Sequence, residues 1–246
     1  MGDLPGAIII GAQRSGTTRF YNLLTRHPDI AAAARKEVHF YDLRFHRGIT
    51  WYKTMFPDLG GRVGVEASPY YIFHPLVADR IRETQPNVKL IALLRNPVDR
   101  AYSHFHHEVR AGHENQPFEY AIGAEFQRTE GAETRIVLGN GDFDTDHNWY
   151  SYQQRGMYAR QLKRFHGFDT LLIRSEDFYE DESSILSEAH EFLGLESWSP
   201  GNYGSFKNKK QYPRMSVDTR KRLVDFFRPY NEELRELTGR DFDWDR

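Results

Sequence analysis

The segment from Ala7 to Leu24, AIIIGAQRSGTTRFYNLL, limits what this chain can fold into more than any other. Ala7–Ile10 is apolar without a break and reads as a buried strand. Gly11 opens a turn, and from Thr18 to Thr25 the placing of Tyr21 and Leu24 on one side is helical. A strand that turns through glycines into a helix points the first helical N–H groups at whatever fills the turn, so it makes a ready anion site. Gly11 and Gly16 have the spacing of the phosphate loop G-x-x-x-x-G-K-[ST], yet Thr17 stands in the lysine position. Thr17 and Thr18 offer hydroxyl donors. Arg14 offers a cation that keeps its charge at any workable pH.

Three more apolar runs read as strands: Val63–Ala67, Val88–Leu94 and Thr170–Ile173, each bounded by Gly, Pro, Asn or Asp. Helical patterns separate them, one opening at Pro97 and reaching about Val109, another over Tyr158–Phe165. Strands alternating with helices predict an α/β fold, a P-loop-like three-layer arrangement with a central parallel β-sheet flanked by helices, and ligands beyond the strands' C-terminal ends. The expected organisation is one domain over residues 1–246, with a loop-rich insertion of short helices at about 111–150. A last helix is capped by Ser216 and stopped by Gly239, and Pro229 should kink or split it. The run DFDTDHNW imitates a calcium loop through Asp142, Asp144 and Asp146. His147 and Gln153 stand where that loop needs Gly and Glu, so calcium is not expected.

A nucleotide hydrolase also needs a magnesium ligand, commonly an Asp ending a second apolar strand. Here VKLIALLRNP ends in Arg95, which repels a metal and attracts a second anion. Two anion sites and no metal ligand point to a nucleotide with two separate anionic groups. The formal net charge of −2 gives no basic excess for nucleic acid, so any anion site must be local. With no cysteine there is no disulfide, thiolate metal site or thiol nucleophile. No apolar run approaches the ~20 residues of a membrane span, and no signal peptide is expected at the N-terminus.

Six motifs, in order along nearly the whole chain, resemble the sulfotransferases that use 3′-phosphoadenosine 5′-phosphosulfate (PAPS), most nearly the carbohydrate, heparan sulfate-type branch. GAQRSGTT is similar to the 5′-phosphosulfate loop, which implies donor binding by Arg14, Ser15, Gly16, Thr17 and Thr18. RNPVDRAYSHF is similar to the 3′-phosphate motif, with Arg95 and Ser103 at the matching positions. KEVHFYD resembles the segment that carries the catalytic base, which falls on Glu37. VEASPYY resembles the element that follows it. GMYARQLKRF resembles the stretch whose tyrosine, here Tyr158, lies against the adenine, and FKNKKQYPR the late basic loop, with Lys209 and Lys210 over the phosphates. Ser103 lies two turns into the helix begun at Pro97, and His104, His106 and His107 after it read as solvated or capping residues.

The resemblance implies metal-free, in-line transfer of a sulfuryl group to a hydroxyl or amine of a small-molecule or carbohydrate acceptor. That chemistry asks for a base, positive charge at the leaving oxygen, and alignment. Glu37 is the expected base, with Lys36 beside it to lower its pKa or orient the sulfate. His39 is the reserve base, pointing the same way as Glu37 if the segment is extended. Arg14 replaces a lysine of many relatives and should act by charge alone. Ala67 also replaces a lysine of the heparan-modifying relatives, which favours a smaller acceptor and a cytoplasmic, bacterial enzyme. Glu66 and Ser68 are candidates for shaping the site. The rival readings are a P-loop kinase of nucleotides or small molecules, and an inactive nucleotide-binding module. The sequence leaves the oligomeric state open.

Overall fold

Five parallel strands, β1 (Ala7–Gly11), β2 (Ile30–Ala32), β3 (Val63–Ala67), β4 (Lys89–Leu94) and β5 (Thr170–Arg174), form one sheet in the order β2-β3-β1-β4-β5. The fold is thus α/β with a central parallel sheet. The computed structural model describes residues 2–56, 58–139, 143–204 and 212–245. By contacts the chain divides into two units, Met1–Leu94 with Phe165–Gly204, and Arg95–Arg164 with Ser205–Arg246.

The first unit holds the sheet. β1 lies between β3 and β4. The chain runs from β1 out to β2 and β3 on one side and then crosses to β4 on the other. That reversal makes the C-terminal end of β1 the switch point at which such sheets bind ligands. Every residue of β1 is buried, which explains the unbroken apolar run AIII. Alternate strand residues share a face. Ala7, Ile9, Val65, Ala67, Ile91, Leu93 and Ile173 pack with Phe20, Leu23 and Leu24 of α1 (Thr17–Leu24) in one cluster. Phe178 of α9 (Ser175–Glu180) and Leu186 and Ala189 of α10 (Glu182–Phe192) belong to the same cluster. At 8 residues, α1 is shorter than the ~12–15 needed by a helix standing alone. Burial of its apolar face, at about 1.5–3 kcal/mol per large side chain, is therefore what fixes the loop ahead of it. Two further helices, α2 (Gly48–Lys53) and α3 (Val77–Thr84), complete this unit.

The second unit is helical: α4 (Pro97–Ala111), α5 (Phe118–Arg128), α6 (Ala132–Leu138), α7 (Thr145–Trp149), α8 (Tyr158–Leu162) and α11 (Val217–Thr238). Val98, Ala101, Phe105, Phe118, Ala121, Tyr152, Leu223 and Phe227 form its core. Pro97 opens α4 and the Asn96 side chain caps it, accepting from Val98 N at 3.0 Å. Pro229 does not split α11, which runs unbroken to Gly239.

One expectation for a polar residue changes. His104 is fully buried rather than solvated, with Nε2 3.3 Å from Glu108 Oε1, because the inward face of α4 carries it beside the Tyr152 ring. Asp144 caps α7 and, like Asp146, pairs with Arg135, so both carboxylates are committed to the fold; Asp142 lies outside the described residues. Among the described residues no group of three or more His, Asp or Glu is arranged to hold a metal, and no helix is long and apolar enough to cross a membrane.

Candidate active site

The loop after β1 is anchored on both sides of its strand. Ala12 N donates to Leu93 O of β4 at 2.7 Å, and Ile72 N, beyond β3, donates to Ile10 O at 2.9 Å. A Cβ on Gly11 would stand 2.4 Å from Ile72 Cγ2 and 3.1 Å from Pro69 O, so only glycine allows this approach. Between β1 and β4 the register shifts from Ile9 to Gly11, a bulge of the kind that re-aims a chain at a site. The Ser175 hydroxyl at the head of α9 holds Ser15 O at 2.9 Å. Arg14 has φ 71°, a left-handed backbone, which for a residue with a Cβ costs on the order of 1–2 kcal/mol.

Gly16 occupies the N-cap of α1 at φ 88° with no side-chain cap. The first amide N–H groups of α1 are therefore presented as donors, with the positive end of the helix dipole behind them. Ser15 Oγ is buried and has no hydrogen-bond partner among the described residues. Thr17 is buried and Thr18 exposed. A Cβ on Gly16 would lie 2.7 Å from the Tyr179 hydroxyl. Tyr179 is 44% exposed and can swing aside, so the φ strain outweighs the clash. Gly16→Ala is expected to lose about 1–2 kcal/mol of stability. Adding Tyr179→Ala should restore little of it; recovery of most of the loss in a denaturant melt would mean the clash dominates.

The segment Lys36–Asp42 is tied to the end of β3, the strand beside β1. Glu37 N donates to Ala67 O at 3.0 Å and His39 N to Ser68 Oγ at 3.1 Å. The Tyr71 hydroxyl accepts from Phe40 N at 2.8 Å and Tyr41 N at 3.2 Å. The segment is not extended: Glu37 and His39 both have left-handed φ, 60° and 54°. Their side chains meet all the same, Glu37 Oε2 lying 3.3 Å from His39 Nε2.

That contact belongs to a chain of charges. Lys36 Nζ donates to Glu37 Oε1 at 2.8 Å, and His39 Nδ1 lies 2.7 Å from Asp42 Oδ2. The hydrogen bond from His39, aided by Lys36, holds the Glu37 carboxyl down at about 2 against the upward push of burial. Burial alone would lower His39, but Asp42 and Glu37 on either side raise it to about 9. Between those limits Glu37 is a carboxylate and His39 a cation donating from both nitrogens. Glu37 keeps 48% of its side chain exposed, while that of Asp42 is fully buried. Asp42 stands within KEVHFYD, where its sequence context assigns it no part. The one available signal was its spacing three residues after His39.

In the second unit, Arg95 directly follows the last residue of β4. Its backbone is gripped by Tyr158, whose hydroxyl donates to Arg95 O at 2.7 Å and accepts from Arg95 N at 3.4 Å. Tyr158 is 1% exposed and its ring packs near Trp244, centroids 5.7 Å apart. Ser103, on α4, is buried at 3% exposure. Lys209 and Lys210 lie outside the described residues.

A parallel sheet with a glycine-flanked loop at its switch point, and a charge-paired carboxylate tied to the next strand, places this chain in the α/β class. The model of the sulfotransferase domain matches residues 4–222, and the chain belongs to that family. It is similar to the membrane-associated sulfotransferase kil1 of Dictyostelium discoideum, 27% identical, the match covering 98% of this chain and 66% of the relative. It is also similar to heparan sulfate glucosamine 3-O-sulfotransferase 3B1 of Mus musculus, 29% identical over 99% of this chain and 65% of the relative. The chain thus spans about two thirds of the length of these curated relatives. The solved sulfotransferase of Alicyclobacillus acidocaldarius superposes with a TM-score of 0.81 at 29% identity, covering 99% of this chain and 100% of that one.

Proposed function

We propose that this chain moves a sulfuryl group from PAPS to a hydroxyl or amine of a small-molecule or carbohydrate acceptor, as a single sulfotransferase domain, with Glu37 as the base. The observation that carries the reading is the half-exposed Glu37 carboxylate, held between Lys36 and the His39–Asp42 pair. The orphaned Ser15 hydroxyl and the uncapped first turn of α1 suit the 5′-phosphate end of such a donor. Arg95 and Ser103 are the proposed 3′-phosphate ligands. The buried Tyr158 serves the donor by fixing the Arg95 backbone, a different service from the adenine contact that the resemblance implies.

When bound, the donor supplies an activated S–O bond to a phosphate leaving group. Glu37 takes the acceptor's proton as the new S–O (or S–N) bond forms and the old one breaks. His39, held as a cation by Asp42, orients Glu37 and keeps it ionised. With its carboxyl near 2, Glu37 is a weak base, suited to a proton that leaves late in the transfer. Arg14 and the α1 amides stabilise the charge left on the departing phosphate. Arginine does not give up its proton in the working range, so Arg14 acts through charge alone.

A thermal-shift comparison tests the donor. 3′-Phosphoadenosine 5′-phosphate (PAP) without metal should stabilise the protein, by about 2.7 kcal/mol at a hundredfold excess over Kd, and ATP with magnesium should not. The reverse pattern would replace this reading with the kinase.

A further inference from the structure

The segment after α11 carries two buried rings that the transfer chemistry does not use. The sulfotransferase match ends at residue 222, so residues 240–245 lie beyond it. They form neither helix nor strand, and Asp241, Asp243 and Asp245 face solvent. Phe242 and Trp244 turn inward instead, 4% and 3% exposed, with their rings stacked at 4.7 Å between centroids. The segment is pinned to its surroundings. Asn231 of α11 donates from Nδ2 to Asp245 Oδ1 at 2.7 Å, Asp243 N donates to Asp241 Oδ1 at 2.8 Å, and the Arg240 guanidinium lies 5.1 Å from the centre of the Phe242 ring.

Trp244 reaches the two residues that fix the chain just after β4. Its ring lies 5.7 Å from that of Tyr158, tilted by 55°, within the range at which aromatic pairs attract. The Tyr158 hydroxyl makes both backbone bonds to Arg95. The carbonyl of Trp244 accepts from Asn96 Nδ2 at 3.5 Å. Asn96 follows Arg95 directly, and its Oδ1 caps α4, accepting from Val98 N at 3.0 Å and Asp99 N at 3.4 Å. Arg95 therefore stands between two contacts that converge on one indole residue. Removing the indole leaves a cavity beside the Tyr158 ring. A ring free to move into that space carries its hydroxyl off the Arg95 backbone.

We propose that Trp244 is a positioning residue for the donor's 3′-phosphate: it backs the Tyr158 ring and holds Asn96, and so keeps the Arg95 backbone where its guanidinium meets that phosphate. The inference rests on reading Arg95 as a 3′-phosphate ligand, and the test separates the two.

The test is calorimetric titration of the full chain with PAP and with adenosine 5′-phosphate, which lacks the 3′-phosphate. Trp244→Ala should weaken PAP about tenfold, no more than loss of the guanidinium itself would, and leave adenosine 5′-phosphate within about twofold. Trp244→Phe keeps a ring beside Tyr158 and should hold PAP within about threefold of the intact chain. Because Trp244 acts through Arg95, adding Trp244→Ala to Arg95→Ala should weaken PAP no further than about twofold. Unchanged PAP binding in Trp244→Ala, equal weakening of both nucleotides, or a second tenfold loss on the Arg95→Ala background overturns the proposal. Should Trp244→Ala fail to fold, Tyr158→Phe decides, since it removes the grip on Arg95 and leaves both rings in place. It should weaken PAP alone, and unchanged PAP binding there overturns the proposal. Arg95→Ala that weakens PAP alone, beside a Trp244→Ala that does not, sinks this inference and spares the donor reading. Arg95→Ala that spares PAP, or weakens both nucleotides equally, takes the 3′-phosphate from Arg95 and the inference with it.

Discussion

Glu37→Gln is expected to lower sulfuryl transfer about 10³-fold while PAP binding stays within about twofold. General-base catalysis is worth ~10²–10⁴-fold, and a glutamine of nearly the same volume cannot accept the acceptor's proton. The loss should fall on kcat rather than on KM for the donor, because Glu37 lies on the segment tied to β3 and not in the loop after β1. A second readout shows that the substitution has reached the intended contact. His39 is raised to about 9 with Asp42 and Glu37 both contributing, so losing one of the two carboxylates should move its titration to lower pH. Transfer that persists in Glu37→Gln, with His39 shifted as expected, would remove Glu37 as the base and promote His39. Transfer and PAP affinity falling together would mean instead that the variant has disturbed the donor loop.

Much of the sheet was legible because buried parallel strands are written as apolar runs. Val63–Ala67 was read with both its ends, and β1 and β5 each extend one residue past the run that marked them. β2 was not legible: three residues, Ile30–Ala32, are too few to show a period, and alanine favours no strand. The anion loop could be read because glycine at a fixed spacing has a backbone reason that shows in one dimension. The base segment could not be read in the same way. Glu37 and His39 come together through left-handed backbone angles, which no periodicity announces, and the expectation of an extended segment paired them for the wrong geometric reason. Asp42 and Glu66 were dim for a related cause. A carboxylate's part depends on what it faces, and the partners of Glu66 arrive from α2 and from beyond β3. Tyr158 illustrates the converse. The residue singled out does serve Arg95, but by a backbone grip that only coordinates reveal.

Arg95→Ala is expected to weaken PAP binding about 10–100-fold and to leave the binding of adenosine 5′-phosphate, which lacks the 3′-phosphate, nearly unchanged. A charge-assisted bond to a phosphate is worth about 1.5–3 kcal/mol, and each 1.4 kcal/mol is tenfold in Kd. The comparison between the two nucleotides separates a lost ligand from a damaged fold, since misfolding would weaken both. It is a clean comparison because the Arg95 backbone is held independently of its side chain, through the Tyr158 hydroxyl at Arg95 O. Truncating the guanidinium should therefore leave the chain path after β4 in place. Arg95→Lys should fall between the two, keeping the charge but not the planar fork that meets two phosphate oxygens at once. Equal weakening of both nucleotides, or of neither, would take the 3′-phosphate away from Arg95. The reading of this chain as a PAPS enzyme would then rest on its family alone, because a site blind to the 3′-phosphate does not distinguish PAPS from any other adenylate.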